Sequence, residues 1–282
     1  MNKKNILIII KGFIIGSSMS VPGVSGGTIA ILLGIYEQLI SSISHFTKDV
    51  KKNLFFLLKF LLGSAIGIGT LARLIEWMLE RFPLPVSFLF LGAVIGGIPA
   101  LYKKAKEEKL KILSVIYFLV GLGVVVSISF LPTRTVSISS GTGLLHYIML
   151  FVVGIIIAIA LILPGISTSH MLLVLGMLEA TYEAINSFDI TYIAILVIST
   201  LVGIILITKP LEWVMKKFPH QTYCVVIGFV VGSTYAVFKD IVVPSIPKGE
   251  TPIWWTLTVL VTITTFVFGI IGIMSLSKFS ND

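Results

Sequence analysis

Two stretches of similar sequence, VPGVSGGT at residues 21–28 and LPGISTSH at residues 163–170, each interrupt a long apolar region. Proline and glycine favour a break between helices, and a serine after them is suited to cap the helix that follows. We therefore predict that each stretch is the tip of a helical hairpin. The arms beside the first tip, residues 5–21 and 28–44, are 17 residues each, at the lower limit for crossing a bilayer. Two interpretations remain: two full crossings joined by a tight turn, or a re-entrant hairpin whose tip ends near mid-membrane. We favour the hairpin. An irregular backbone at that depth must line a cavity or be buried in protein.

The composition around these stretches is that of a membrane protein. The chain has 282 residues, of which 56% are hydrophobic and 12% charged, and its mean hydropathy is +1.05. Soluble domains carry about 25% charged residues, and disordered chains need low hydrophobicity, so both classes are excluded. The net charge of +8 comes largely from lysines beside apolar segments, which indicates anionic lipid as the partner and not nucleic acid. Ten apolar segments are predicted, at residues 5–21, 28–44, 54–80, 85–102, 112–131, 147–163, 169–185, 190–215, 222–238 and 254–276.

The two tips belong to a repeat that covers most of the chain. Matching residues are separated by 142 positions early in each half and by 136 positions after the first polar loop. The pairs include Gly12 and Gly154, Pro22 and Pro164, Ser25 and Ser167, Gly34 and Gly176, Trp77 and Trp213, Phe82 and Phe218, Gly92 and Gly228, and Lys103 and Lys239.

Each half contains five apolar segments, so the second half must enter the membrane from the opposite side. The predicted fold is an all-α polytopic membrane protein with an inverted-topology repeat, an arrangement typical of secondary transporters. A single transporter domain covers residues 1–282, with repeat 1 at residues 1–131 and repeat 2 at residues 147–276.

The distribution of positive charge predicts the orientation. With a cytoplasmic N-terminus, most lysines fall on the cytoplasmic side, including the five between residues 103 and 111. Loops on the other side carry only Arg81, Arg134, Lys239 and Lys248. The positive-inside rule therefore places both termini in the cytoplasm.

The tips are also the predicted binding site. Amides at the start of a helix, with the positive end of the helix dipole behind them, favour an anion such as phosphate. Two glycines at the first tip leave room for close approach to the backbone, and hydroxyls add donors. In the alternative interpretation, proline and glycine only form a turn and serine only caps it. The predicted substrate-binding residues of the tips are Ser25, Gly26, Gly27, Thr28, Ser167, Thr168, Ser169 and His170.

Two further cations occupy matching positions inside long apolar segments. Arg73 and Lys209 are 136 residues apart, and an ionisable residue within a membrane segment is a functional candidate. They are predicted to bind an anion or to pair with Glu76 and Glu212, three residues further along the same helix face. The alternative is that both side chains only snorkel to the membrane interface.

Carboxylates are the second class of candidate. Glu37 and Glu179 follow the two tips at matching positions and are predicted proton carriers if buried, or ordinary boundary residues if not. No metal site or other cofactor is expected, because Cys224 is the single cysteine and the four histidines lack metal-ligand spacing.

The two tips and the residues that follow them resemble one bacterial membrane family. The first signature is residues 21–28 followed by Leu-Gly-Ile-Tyr-Glu at residues 33–37. The second is residues 163–167 followed by Leu-Gly-Met at residues 175–177 and then Glu179. This pattern resembles the PopT family of undecaprenyl phosphate transporters over nearly the whole chain, although Thr168 stands where glycine is expected.

The resemblance implies a function. A member of this family is a transporter, not an enzyme, and returns the lipid carrier undecaprenyl phosphate from the outer to the cytoplasmic leaflet of the bacterial cell membrane, so that cell-wall precursors can be made again. One alternative is an enzyme similar to undecaprenyl pyrophosphate phosphatase, but that family's Pro-Gly-x-Ser motif continues with arginine and serine, where this chain has Gly26 and Gly27. Two further interpretations are transport of a different anion and a purely structural role in the membrane.

Overall fold

The computed structural model describes residues 3–19, 21, 24–105, 112–131, 143–246 and 252–279, and all regular structure in these ranges is helical. The first half contains α1 (Lys3–Ser18), α2 (Gly26–Leu32), α3 (Tyr36–Ser44), α4 (Val50–Arg81), α5 (Pro83–Ala105) and α6 (Ile112–Ser129). The second half contains α7 (Leu144–Ile162), α8 (Thr168–Val174), α9 (Leu178–Asn186), α10 (Ile190–Lys217), α11 (Pro219–Val237) and α12 (Pro252–Phe279). A 3₁₀ turn covers Phe46–Lys48 and a π-helical turn covers Phe238–Val242.

Six of the described helices are long and apolar enough to cross a membrane, namely α4, α5, α6, α7, α10 and α12. A seventh span is obtained if α2 and α3 are counted as one bent segment. The prediction of an all-α, multi-pass membrane protein is therefore confirmed.

Two of the ten predicted apolar segments are not continuous helices, which corrects the prediction from sequence. Residues 28–44 break between α2 and α3, whose axes differ by 112°, and residues 169–185 break between α8 and α9. The breaks occur at Gly34 (φ 64°) and Gly176 (φ 69°), in the left-handed conformation that glycine adopts readily.

The same motif ends both short helices. In α2, the amide of Ile35 donates to Ala30 O and that of Gly34 to Ile31 O, and the equivalent pair of bonds closes α8. These are the two hydrogen bonds of a Schellman motif, which satisfies the last carbonyls of a helix before the chain turns away.

The long helices pack in pairs through small residues. Within the halves, α1 lies against α4 and α7 against α10. Between the halves, α5 lies against α12 and α11 against α6. Glycines allow the close approach, because a side chain at Gly92 would meet the backbone of Phe266 in α12, and one at Gly228 would meet the backbone of Phe118 in α6.

The two short-helix regions, the first formed by α2 and α3 and the second by α8 and α9, are buried to different extents. Every residue of α2 after Gly26 is buried, and this helix contacts α5 and α7, while α3 contacts α10. In α8, by contrast, Val174 is the buried residue. The interior of the molecule is therefore filled by the first short-helix region, and the second lies nearer the surface.

Candidate functional site

We call residues 21–28 the first tip, of which the structure describes Val21 and residues 24–28, and residues 163–170 the second tip. The two tips meet although they are far apart in sequence. The Gly165 amide donates a 2.8 Å hydrogen bond to Thr28 Oγ1, and the Tyr36 hydroxyl donates one of 2.8 Å to the Ile162 carbonyl. Gly27 faces the backbone of the second tip. The contact between the tips therefore joins the two halves of the chain.

The predicted binding residues of the first tip are mostly buried. Ser25 occupies the N-cap position of α2, but its side chain caps no amide, so the predicted capping is wrong here. The Ser25 hydroxyl is buried and has no hydrogen-bond partner among the described residues. Gly26 lies beside the Met19 side chain, and the space before Gly27 is filled by the second tip. Gly27 is therefore buried at the contact between the tips, whereas Gly26 is half-exposed.

The second tip borders a cavity. Its turn needs glycine, because Gly165 has φ 80° and a side chain there would meet the backbone of Phe229. Ser167 does cap α8, accepting a 3.4 Å hydrogen bond from the His170 amide. Next to them lies a cavity of about 20 Å³, lined by Val125, Ile128, Ser129, Gly165, Ile166, Ser167, His170 and Ala236. Thr168 and Ser169, the other predicted residues of this tip, are half-buried.

A lysine that was not among the predicted site residues contacts one of the residues that line this cavity. Lys239, in the π-helical turn after α11, donates a 2.7 Å hydrogen bond from Nζ to the carbonyl of Ser129, which lines the cavity. The same ammonium group lies 4.3 Å from the centre of the Phe130 ring. The available signal was the match between Lys103 and Lys239 in the repeat.

The two predicted proton carriers have different surroundings. Glu37, at the start of α3, accepts hydrogen bonds from Lys104 Nζ at 2.5 Å and from the hydroxyl of Tyr223. It therefore ties the first short-helix region to the ends of α5 and α11. Glu179 is exposed at the start of α9. Sequence reasoning missed Lys104 and Tyr223, because they are 67 and 186 residues away from Glu37.

The predicted cations Arg73 and Lys209 are both exposed, and within the described ranges no hydrogen bond or ion pair joins either of them to a tip. Glu212 is buried but does not pair with Lys209. It instead contacts Lys216 Nζ at 2.6 Å and His45 Nδ1 at 3.1 Å.

The pairing expected for Glu212 is therefore wrong, because its two carboxylate oxygens contact Lys216 and His45 instead. Lys216 lies four residues after Glu212 on the same face of α10, and the contact between α3 and α10 brings His45 to the same carboxylate. This carboxylate joins the two halves at the end of α10 that carries Lys216 and Lys217.

Comparison with known proteins identifies the family. Residues 15–247 match the family model described as undecaprenyl phosphate translocase-like. The chain belongs to this family. It is 32% identical over 289 aligned residues to the polyprenyl-phosphate transporter of Staphylococcus aureus, covering 97% of this chain and 96% of that protein. It is 28% identical over 242 residues to the polyprenyl-phosphate transporter of Vibrio cholerae, covering 79% of this chain and 74% of that one. No solved structure matches the chain.

The tips supply hydroxyls and amides, and Lys239 supplies a positive charge beside the second tip. Among the residues that the structure describes, no group of three or more His, Cys, Asp or Glu side chains is placed to hold a metal ion.

Proposed function

We propose that the protein carries undecaprenyl phosphate from the outer to the cytoplasmic leaflet of the bacterial cytoplasmic membrane, for reuse in cell-wall synthesis. The observation that carries the proposal is the meeting of the two polar tips between the halves, where Gly165 donates to Thr28. The polyprenyl-phosphate transporters among its relatives support the substrate class. A headgroup with a negative charge needs a polar path through the membrane, whereas the isoprenoid tail can stay in lipid.

The proposed architecture is a single domain of two inverted repeats, residues 1–131 and 147–276. Local geometry at matching positions supports it beyond the sequence match. Phe82 and Phe218 follow α4 and α10 with nearly the same backbone angles, φ −134° and −131°. Their rings stack edge-on against Trp77 and Trp213, respectively, with centroids 6.2 and 5.9 Å apart.

Both tips are proposed to be re-entrant. The helix that leaves each tip has seven residues, and seven helical residues extend about 10 Å, a third of the hydrocarbon core. The 112° bend after α2 turns the chain aside before it could complete a crossing. With the N-terminus in the cytoplasm, the first tip enters from that side and the second from outside, so both termini are cytoplasmic.

The cavity at the second tip supports the direction of transport. It touches the ends of α6 and α11, and the lysine distribution assigns these two ends to the outer face. A site near the outer leaflet is the one that would receive a carrier lipid left there after use.

The proposed path uses the predicted residues in different ways. Hydroxyls and amides of the two tips bind the headgroup in turn, as one tip closes and the other opens. Arg73 and Lys209 are exposed on α4 and α10, where a headgroup approaching from the lipid would meet them. Glu37 and Glu179 were predicted to carry protons only if buried, and both are exposed, so the proposed path treats them as boundary residues.

The test is a leaflet-resolved assay in proteoliposomes. Fluorescent undecaprenyl phosphate in the protected leaflet should become accessible to an impermeant quencher only in vesicles that contain folded protein. Heat-denatured protein in matched vesicles is the control. A second sample with undecaprenyl pyrophosphate should release no inorganic phosphate. Absence of lipid movement contradicts the proposal, and steady phosphate release would identify the phosphatase-like enzyme instead.

A further inference from the structure

Lys239 has an unusual electrostatic environment. Its side chain is half-buried between the ends of α6 and α11, and its partners are the Ser129 carbonyl and the face of Phe130. Among the side chains that the structure describes, no carboxylate lies within ion-pair distance of Lys239 Nζ. A partly desolvated ammonium group without an anionic partner is unfavourable, and an incoming anion would relieve that cost.

Two other lysines near the contacts between the halves do not share this property. Lys104 is paired with Glu37 at 2.5 Å, and Lys216 is paired with Glu212 at 2.6 Å. A headgroup at either position would have to displace a carboxylate. At Lys239 it has none to displace among the described side chains.

Lys239 and Ser167 are linked through Ser129, which accepts a hydrogen bond from Lys239 and lines the same cavity as Ser167. An ammonium group has three N–H donors, and among the described residues the Ser129 carbonyl accepts from one of them, which leaves two for oxygen atoms of a ligand. Ser167 is 9% exposed and lines the cavity. Its oxygen accepts from the His170 amide, so its own proton can be donated to a ligand.

The size of the cavity limits what enters it. A volume of about 20 Å³ holds one group the size of a water molecule, which is also the size of one phosphate oxygen. The remaining oxygens and the ester link would stay at the mouth, beside Lys239, and the tail would remain in lipid.

We propose that Lys239 and Ser167 form the entry site for a phosphate monoester headgroup, with Lys239 binding the charge and Ser167 donating to the oxygen that enters the cavity. This inference rests on the proposed function, because it assigns the outer binding step of the same transport path. The inference adds a lysine of the π-helical turn to the exposed cations Arg73 and Lys209 on the same proposed path.

The test compares Lys239→Gln and Lys239→Arg with Lys217→Gln as a matched control. Lys217 also lies over aromatic rings, at 4.7 Å from the centre of the Trp213 ring and 5.5 Å from that of Phe218. It precedes α11, however, whereas Lys239 follows that helix. Binding is measured as the thermal stabilisation of purified protein by undecaprenyl phosphate and by the neutral undecaprenol. Transport is measured in the proteoliposome assay above.

We expect Lys239→Gln to weaken binding of undecaprenyl phosphate about tenfold, since it removes one charge-assisted contact. The weak stabilisation by undecaprenol should not change. Lys239→Arg should retain most of the binding, and Lys217→Gln should behave as wild type. Ser167→Ala should weaken binding about threefold, because one neutral hydrogen bond is lost.

The remaining outcomes separate the entry site from the transport proposal. Unchanged binding and transport in Lys239→Gln would overturn the entry site and leave the transport proposal intact. Binding that depends on Lys239 but is not followed by lipid movement would support the site and contradict transport. Inorganic phosphate that stabilises the wild type as strongly as the lipid would show that the ligand is free phosphate, which overturns the lipid assignment. If Lys239→Gln does not fold, Lys239→Met keeps the aliphatic stem over Phe130, and failure of both to fold would make Lys239 structural and overturn the proposal.

Discussion

Replacing Thr28 with valine removes the hydrogen bond that joins the two tips. Valine has nearly the same shape, but it leaves the Gly165 amide without its acceptor at 2.8 Å. Thr28 is 1% exposed, so water cannot easily replace the lost partner. An unsatisfied buried donor costs about 1–3 kcal/mol. At roughly 3 °C per kcal/mol for a protein of this size, we expect the melting temperature to fall by about 6 °C.

Thr262→Val is the matched control for this variant. The Thr262 hydroxyl is also buried, but it has no hydrogen-bond partner among the described residues. The same substitution there removes no bond, and we expect a melting temperature within about 1 °C of wild type or slightly above it. Thermal unfolding of both variants in the same detergent, followed by the fluorescence of the tryptophans, measures the difference. Equal melting temperatures for Thr28→Val, Thr262→Val and wild type would refute the reasoning that the tips are held together by this bond.

Three further predictions address the turn, the buried carboxylate and the exposed cations. Gly165→Ala should prevent folding or lower stability strongly, because of the positive φ and the adjacent Phe229 backbone. Gly123 faces open space on α6, so Gly123→Ala should be neutral or stabilising. The folded yield after size-exclusion chromatography measures both effects. Glu212→Gln should lower the free energy of unfolding by about 2 kcal/mol, because it weakens the contacts with His45 and Lys216. Glu76 is the exposed residue at the matching position, and Glu76→Gln should stay within about 0.5 kcal/mol of wild type in thermal unfolding. A similar loss in both variants would show that burial of Glu212 is unimportant. Arg73→Gln should lower lipid transport about tenfold at equal folded protein, and Arg73→Lys should retain part of it, because charge remains but the bidentate group does not; normal transport in Arg73→Gln would mean that Arg73 only snorkels.

Much of the fold was predictable because its determinants are local. The apolar segments, the proline and glycine at the tips and the serine at 167 act through neighbouring residues, so the order of helices follows from reading the chain. The breaks at Gly34 and Gly176 were the part missed. Their flanking residues are as apolar as any helix, and only the left-handed backbone at the two glycines reveals the turn.

Part of the candidate site was predictable for the same reason. The tips were identified as polar residues at helix starts, and the structure brings them into contact at Thr28 and Gly165. The capping of α8 by Ser167 was predicted correctly, whereas Ser25 has the same position in sequence and caps nothing. Sequence position alone therefore does not decide whether the serine caps its helix.

The sequence by itself determined the membrane class, the repeat and the family, since composition, residue spacing and motifs are properties of the chain in one dimension. Only the tertiary structure decided which charges meet. Arg73 and Lys239 are both cations beside apolar sequence, yet one is exposed and the other lies next to the cavity of the second tip. The physical reason is that an ionic contact depends on positions a few ångströms apart in space. Those positions are set by contacts between the halves, in which α5 packs against α12 and α6 packs against α11. They are not set by neighbours along the chain.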